Sequence, residues 1–217
     1  MLSTGNDIVA LNAINVTRTK QPNFYSKILT PTETELYRSP RFATIHFEVF
    51  VWLLWSIKES AFKFLQRIDA DVLFTPVKFE VSDVELPAGF DLLNFDKVLL
   101  TGIGFDELDS IRAMVKFGDS ILYSNSLIYR EFICSFVHDT KDFSQVHWGI
   151  KRIDNDAAEV QSTEVRAFLA DNFDEPGVII SKKKRDIPVL LINGIELAVP
   201  VSLSHHDKFI SYCFVIL

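Results

Sequence analysis

The chain has 217 residues, 48% of them hydrophobic, so it can bury a substantial core as one large domain or as two small domains packed together. Its net charge of −7 makes it a poor candidate for general nucleic-acid binding, which requires a basic surface, although a local basic pocket is compatible with this charge. Cys134 and Cys213 lie in apolar runs without metal-binding spacing, and no apolar stretch approaches the ~20 residues of a membrane helix, so we expect a soluble cytoplasmic protein.

The first third of the sequence predicts a strand, a short helix and a long helix. Residues 7–11 form a run, apolar after its first residue, that is typical of a buried strand. Residues 30–33, Thr-Pro-Thr-Glu, combine an N-cap, a proline at the first helical position and the acid of a capping box, and therefore predict the start of a short helix. A long helix without glycine or proline is predicted from about residue 41 to residue 67, because large apolar side chains recur there at helical spacing.

Strands dominate the prediction for the middle of the chain. Residues 112–138 predict two or three strands, separated by turns at Gly118-Asp119 and at residues 124–126. Residues 139–146 are polar and contain no long apolar run. They are therefore the predicted boundary between two parts of the chain.

The second part predicts one helix among several strands. Asn193-Gly194 is a strong hairpin signal between two of these strands. The predicted elements are a strand at 147–153, a helix from 162 to about 172, strands at 189–192 and 196–202, and a last strand at 209–217. The class is α+β, with helices packed on mainly antiparallel strands.

Acidic and basic side chains interrupt the first strand and the long helix. Glu59 and Lys63 lie four residues apart and so share one helix face, a spacing that by itself is more typical of a surface ion pair. The apolar character of this helix favours instead a charged pair that lines a cleft. Asp7 on its apolar strand also needs a partner or a metal. One Asp and one Glu could hold Mg²⁺, which usually takes one or two carboxylates and completes its shell with water and substrate phosphate.

A second group of polar residues lies near the C-terminus. Residues 202–207 read Ser-Leu-Ser-His-His-Asp, and a basic run at 182–185 lies about twenty residues earlier. Together they could bind phosphate groups. A histidine in a turn is more often structural, and the basic run could equally be a solvated hairpin tip, so both interpretations stay open.

Taken together, three short motifs resemble the signature of the 4'-phosphopantetheinyl transferase superfamily. They are Gly-x-Asp at 5–7, Trp-x-x-Lys-Glu-Ser-x-x-Lys at 55–63 and Ser-Leu-Ser-His at 202–205. The resemblance implies an enzyme that transfers the 4'-phosphopantetheine group of coenzyme A to a serine of an apo carrier protein of acyl, peptidyl or aryl type. It implies Mg²⁺ dependence and release of adenosine 3',5'-bisphosphate, as in the holo-acyl-carrier-protein synthase reaction that serves fatty acid biosynthesis.

The resemblance also implies roles for the acids and the lysine of the first two motifs. Asp7 and Glu59 would coordinate Mg²⁺ against the diphosphate of coenzyme A. Lys63 would contact that diphosphate and stabilise the departing nucleotide. The acceptor serine would lose its proton to Glu59 or to a metal-bound water.

For the nucleotide, the resemblance implies residues near the C-terminus. His205, with Ser204, would hold the 3'-phosphate. Lys184 or Arg185 would lie near the adenosine, on a looser match. The large members of the superfamily carry a second acid two residues after the first; Val9 stands at that position here, so the metal should have one carboxylate fewer.

The length and the order of the motifs predict two α+β half-repeats that form a pseudo-dimer. Residues 1–143 would be the metal-binding half, with the long helix, and residues 144–217 the nucleotide-binding half. The site would then form within one chain, and no oligomer would be required. The competing interpretation is a subunit of the small type with a long insertion.

Two other functions stay open at this point. The missing acid at Val9 is compatible with a non-catalytic relative that binds coenzyme A or a carrier protein. A plain α+β interaction protein would bind no nucleotide in a Mg²⁺-dependent manner.

Overall fold

The computed structural model describes residues 3–92, 94–106 and 109–216, and for Lys184 the backbone alone. Its α-helices are α1 (Val16–Thr19), α2 (Pro22–Tyr25), α3 (Pro31–Tyr37), α4 (Phe47–Ile68) and α5 (Ala158–Ala170). Its strands are β1 (Gly5–Ala10), β2 (Glu80–Glu85), β3 (Leu99–Ile103), β4 (Ile111–Phe117), β5 (Ser120–Ile128), β6 (Phe132–His138), β7 (Val146–Arg152), β8 (Val178–Lys182), β9 (Pro188–Ile192), β10 (Ile195–Glu196), β11 (Val201–His206) and β12 (Phe209–Val215).

The strands form three antiparallel sheets within the described ranges. The first has the order β1-β6-β5-β4-β2, the second β11-β12-β7-β3, and a small third sheet β10-β9-β8. The predicted α+β class with mainly antiparallel sheets is therefore confirmed.

The long helix α4 packs on one face of the five-stranded sheet. Its buried residues, among them Phe50, Leu54 and Phe64, join the sheet in one apolar cluster. The helix begins at Phe47, later than the predicted residue 41, because residues 40–42 form a separate 3₁₀ turn and His46 is extended. No helix in the described part of the chain has the length and apolar composition needed to cross a lipid bilayer.

The two large sheets pack face to face. Ile8 and Phe136 of the first sheet meet Trp148 and Cys213 of the second in a shared apolar cluster. Helix α5 covers the outer face of the second sheet through Phe168 and its neighbours. The layer order is therefore α4, five-stranded sheet, four-stranded sheet, α5.

The two large sheets share a connection pattern. In the first, β1 pairs with β6, which pairs with β5, and α4 contacts β1 and β6. In the second, β7 pairs with β12, which pairs with β11, and α5 contacts β12 and β11. However, β3 precedes residue 143 and pairs with β7 in the second sheet. The division between residues 143 and 144 stays a prediction.

Besides the start of α4, three predictions of local structure were wrong. Residues 124–126 are not a turn but lie inside β5, where their polar side chains are buried and Ser126 hydrogen-bonds Ser135. The strand predicted at 196–202 is divided, because Pro200 lacks an amide hydrogen and separates β10 from β11. Helix α5 begins at Ala158 rather than at residue 162, and Thr163 bonds back to the carbonyl of Glu159 within it.

Candidate active site

Asp7 meets helix α4 because the helix approaches β1 unusually closely at Gly5. A Cβ atom at Gly5 would collide with the backbone oxygen of Ser60 in α4. Asp7 lies two residues further on, on the same strand face. From there its Oδ1 lies 3.1 Å from Nζ of Lys63. Glycine at position 5 thus brings a strand carboxylate to the charged side of the helix.

Lys63 lies between two carboxylates. Its Nζ is 3.1 Å from Oδ1 of Asp7 and 3.5 Å from Oε1 of Glu59, and it donates to the backbone oxygen of Asn6 at 3.0 Å. The predicted acids and lysine, from distant parts of the sequence, therefore come together at one point.

The electrostatics of this group follow from burial. Asp7 is only 6% exposed, and burial, with the nearby charge of Glu59, raises its pKa to about 7 against the opposing effect of Lys63. Burial lowers the pKa of Lys63, but the two carboxylates outweigh it and raise the pKa overall. The site therefore concentrates more negative charge than one ammonium group can balance.

The side chains present fit a magnesium ion held by two carboxylates. Oδ2 of Asp7 is buried and has no hydrogen-bond partner among the described residues, so it is a free acceptor within the site. Val9 is buried and adds no ligand. No cluster of three or more His, Cys, Asp or Glu side chains occurs in ranges 3–92, 94–106 and 109–216. Two carboxylates match the sparse protein ligation that Mg²⁺ accepts beside substrate phosphate.

Strand β11 binds the outer edge of β1 through its side chains. Oγ of Ser202 accepts from the backbone N–H of Asn6 at 3.0 Å, and Nδ1 of His206 accepts from that of Ala10 at 3.1 Å. Oγ of Ser204 accepts from Nδ2 of Asn6 at 2.9 Å. Ser204, predicted to bind phosphate, is thus buried and engaged with β1. These bonds place the Ser-His motif beside the strand that carries Asp7.

His205 projects from the opposite face of β11 and is exposed. Its pKa is lowered by partial burial and by the positive charges of Lys63, Lys182 and Arg166 as well as by His206. The cations whose charges act on His205 thus come from three other elements, α4, β8 and α5. Sequence reasoning missed Arg166, because nothing in the sequence of α5 relates it to β11, and it included Lys182 only as the first residue of the basic run.

The other predicted basic residues lie in the 3₁₀ turn at residues 184–186. Arg185 donates to Oδ1 of Asp71 at 2.7 Å and so ties this turn to the segment after α4. The side chain of Lys184 lies outside the described structure. The structure brings together Asp7, Glu59 and Lys63, but it engages Arg185 with an acid elsewhere.

A cleft of about 880 Å³ is lined by none of these residues and lies between β4, β5 and the segments at 103–106 and 141–144. A smaller cavity of about 250 Å³ is lined by His206 and by Trp52 of α4. Asp7, Glu59 and Lys63 line neither of these two cavities.

Comparison with known proteins gives one match. The family model described as the 4'-phosphopantetheinyl transferase superfamily matches residues 3–90, a range that includes Asp7 and α4 but not β11. No curated protein and no solved structure matches the chain. The resemblance indicated by the motifs at 5–7 and 55–63 is therefore confirmed: residues 3–90 carry a domain of the 4'-phosphopantetheinyl transferase superfamily.

Proposed function

We propose that this chain transfers the 4'-phosphopantetheine group of coenzyme A to a serine of an apo carrier protein, in a Mg²⁺-dependent reaction that releases adenosine 3',5'-bisphosphate. The observation that carries the proposal is the convergence of Asp7 and Glu59 on Lys63. The match of residues 3–90 to the superfamily supports the same reaction class.

In the proposed mechanism Asp7 and Glu59 hold Mg²⁺. When bound, this ion neutralises negative charge on the diphosphate of coenzyme A. Lys63 lies beside both acids and would stabilise the charge that develops on the leaving nucleotide. His205, Arg166 and Lys182 would bind the 3'-phosphate and hold the nucleotide in place.

The transfer itself is an in-line displacement at the β-phosphate. The bond from the serine oxygen to the β-phosphorus forms, and the bond from that phosphorus to the bridging oxygen breaks. The electron pair leaves with the 5'-phosphate of adenosine 3',5'-bisphosphate. The serine proton passes to Glu59, whose side chain is 27% exposed and so more accessible than that of Asp7. Positioning and electrostatics supply most of the rate in such reactions.

We also propose that the chain is two half-repeats and that one chain holds the complete site. The matching connections of β1-β6-β5 and β7-β12-β11 support this division. A further parallel lies in the opening strands, where Gly5 and Gly149 both leave room for packing that a Cβ atom would block. Two residues after each glycine, a strand residue forms an ion pair with a helix residue: Asp7 pairs with Lys63, and Lys151 pairs with Glu164. The acid lies on the strand in the first pair and on the helix in the second.

The proposal is tested by incubating the protein with coenzyme A, Mg²⁺ and apo carrier proteins of acyl, peptidyl and aryl type. Mass spectrometry should show the phosphopantetheine mass added to at least one carrier, and EDTA should abolish the addition. No addition to any carrier, with Mg²⁺-dependent nucleotide binding retained, would favour the non-catalytic relative. No nucleotide binding at all would favour an interaction protein.

A further inference from the structure

Arg67 joins the helix of the acids to the strand of the Ser-His motif. It lies in the last turn of α4, four residues beyond Lys63. Its Nη2 donates to the backbone oxygen of Pro188 in β9 at 3.0 Å and to that of Val201, the first residue of β11. One guanidinium group thus contacts two strands of the second part of the chain.

The surroundings of Arg67 are unusual for a cation. Its Nε is buried and finds no hydrogen-bond partner within the described ranges, and no ion pair joins it to a carboxylate there. An arginine in the last turn of a helix can bond the helix's own terminal carbonyls or water instead. Arg67 is instead partly buried against neutral carbonyls, and this burial costs desolvation free energy. An arginine that bonded only to α4 and to water would avoid that cost.

We propose that Arg67 is a positioning residue that sets the spacing between the metal side and the nucleotide side of the site. The inference rests on the proposed function. Glu59 and Lys63 lie on α4, whereas His205 lies on β11, and a nucleotide with its diphosphate must contact both elements at once. Arg67 is attached to α4 through its backbone and to β11 through Val201.

The contacts along β11 show what Arg67 adds. Ser202 and Ser204 are fixed to Asn6, and His206 to Ala10, so the strand is held against β1 from its second residue onward. These bonds join β11 to β1, and none of them reaches α4. Arg67 joins the first residue of the strand directly to α4. The ion pair of Arg185 with Asp71 also joins the two parts, but Asp71 is 80% exposed and the pair is correspondingly weak.

Steady-state kinetics of Arg67→Met, Arg67→Lys and the matched control Arg38→Met test the proposal. Arg38 is 72% exposed and pairs with Glu35 on the surface. Circular dichroism first sets a temperature at which each variant is fully folded. We expect Arg67→Met to raise KM for coenzyme A about tenfold with a smaller change in kcat, because a small displacement of a positioning element weakens productive binding. Arg67→Lys, which keeps the charge but loses the forked donors, should recover part of the affinity, and Arg38→Met should match the wild type.

Hydrogen exchange of the amides at 201–206 gives a readout that does not depend on transfer. Exchange there should be faster in Arg67→Met than in the wild type and unchanged in Arg38→Met. A wild-type KM together with wild-type exchange in folded Arg67→Met overturns the proposal; if that variant does not fold, the same result in Arg67→Lys does so. If the wild-type protein transfers nothing, the proposed function fails, and exchange at 201–206 alone decides whether Arg67 holds the strand.

Discussion

At the scale of single residues, Asp7 and Glu59 play unequal parts. Asp7 is almost completely buried and keeps one oxygen unpartnered among the described residues, whereas Glu59 is 27% exposed. Lys63 offsets only part of their combined charge. A divalent cation bound there would balance the remainder and keep the buried carboxylate ionised on its apolar strand.

We expect Asp7→Asn and Glu59→Gln each to lower kcat/KM for transfer by at least about 10²-fold, because each removes a charged ligand and leaves the shape intact. The carrier mass assay measures the loss, and thermal unfolding shows that both variants remain folded. Glu35→Gln is the matched control, since Glu35 pairs with Arg38 on the surface. Near wild-type transfer by folded Asp7→Asn would refute the metal assignment.

Substitution of Arg166 or of Lys182 tests the nucleotide side of the site. Each substitution to Gln should weaken binding of adenosine 3',5'-bisphosphate about tenfold, since hydrogen bonds to charged groups contribute about 1.5–3 kcal/mol. Isothermal titration with adenosine 5'-monophosphate, which lacks the 3'-phosphate, should show no comparable loss. Lys183→Gln is the control: Lys182 pairs with Asp186 and Lys183 with Glu196, but only the charge of Lys182 lowers the pKa of His205. An equal loss in Lys183→Gln would instead indicate general attraction to a basic surface.

At the scale of elements, a buried ion pair holds the middle of α4. Nζ of Lys58 lies 2.6 Å from Oε2 of Glu33, and both side chains are at most 1% exposed. Oε1 of Glu33 accepts from the backbone N–H of Val81, and Lys58 donates to the oxygen of Ile28. The residue next to Glu59 thus anchors the helix to α3 and β2.

Replacing Lys58 with Met should destabilise the fold by about 3–5 kcal/mol, because it leaves the carboxylate of Glu33 buried without its counter-charge. Urea unfolding measures the change. Arg38→Met is the matched control: Arg38 and its partner Glu35 are 72% and 68% exposed, so the loss of this pair should cost about 0–1 kcal/mol. A similar small cost for both variants would show that the buried pair contributes little.

The elements that the sequence predicted correctly are those specified by local chemistry. The capping box of Thr30 and Glu33 starts α3, and Asn193-Gly194, with positive φ at both residues, closes the hairpin of β9 and β10. β3 and the polar middle of β5 were not predicted, because their strand character depends on partners distant in sequence.

The same distinction holds for the site. Asp7, Glu59 and Lys63 belong to compact motifs and could be identified from spacing. The contact between Asp7 and the charged residues of α4, however, depends on the close approach of β1 and α4 at Gly5. Arg67 and Arg166 carry no local signal, since their relevance comes only from packing between the two sheets and their helices.

At the scale of the whole molecule, His147, His205 and His206 have lowered pKa values that predict acid sensitivity, and the first two can be tested without altering a bond to β1. Burial lowers the pKa of His147 from 6.5, and burial with nearby positive charges, Lys63 first, lowers that of His205. Well above pH 6.5 both are neutral in either state, and their contribution to the free energy of unfolding is fully present. As the pH falls from 6.5 through the lower folded-state values, the unfolded chain binds protons first, so the free energy of unfolding decreases.

Urea unfolding of the wild type and of the double variant His147→Asn/His205→Asn, at about pH 7.5 and about pH 5.5, measures this contribution. The decrease in unfolding free energy should be smaller in the variant, because the titration of acids is common to both proteins and cancels. His46→Asn is the control, since its ring lies at the start of α4, apart from these two groups. An equal decrease in all three proteins would assign the acid sensitivity to groups other than His147 and His205.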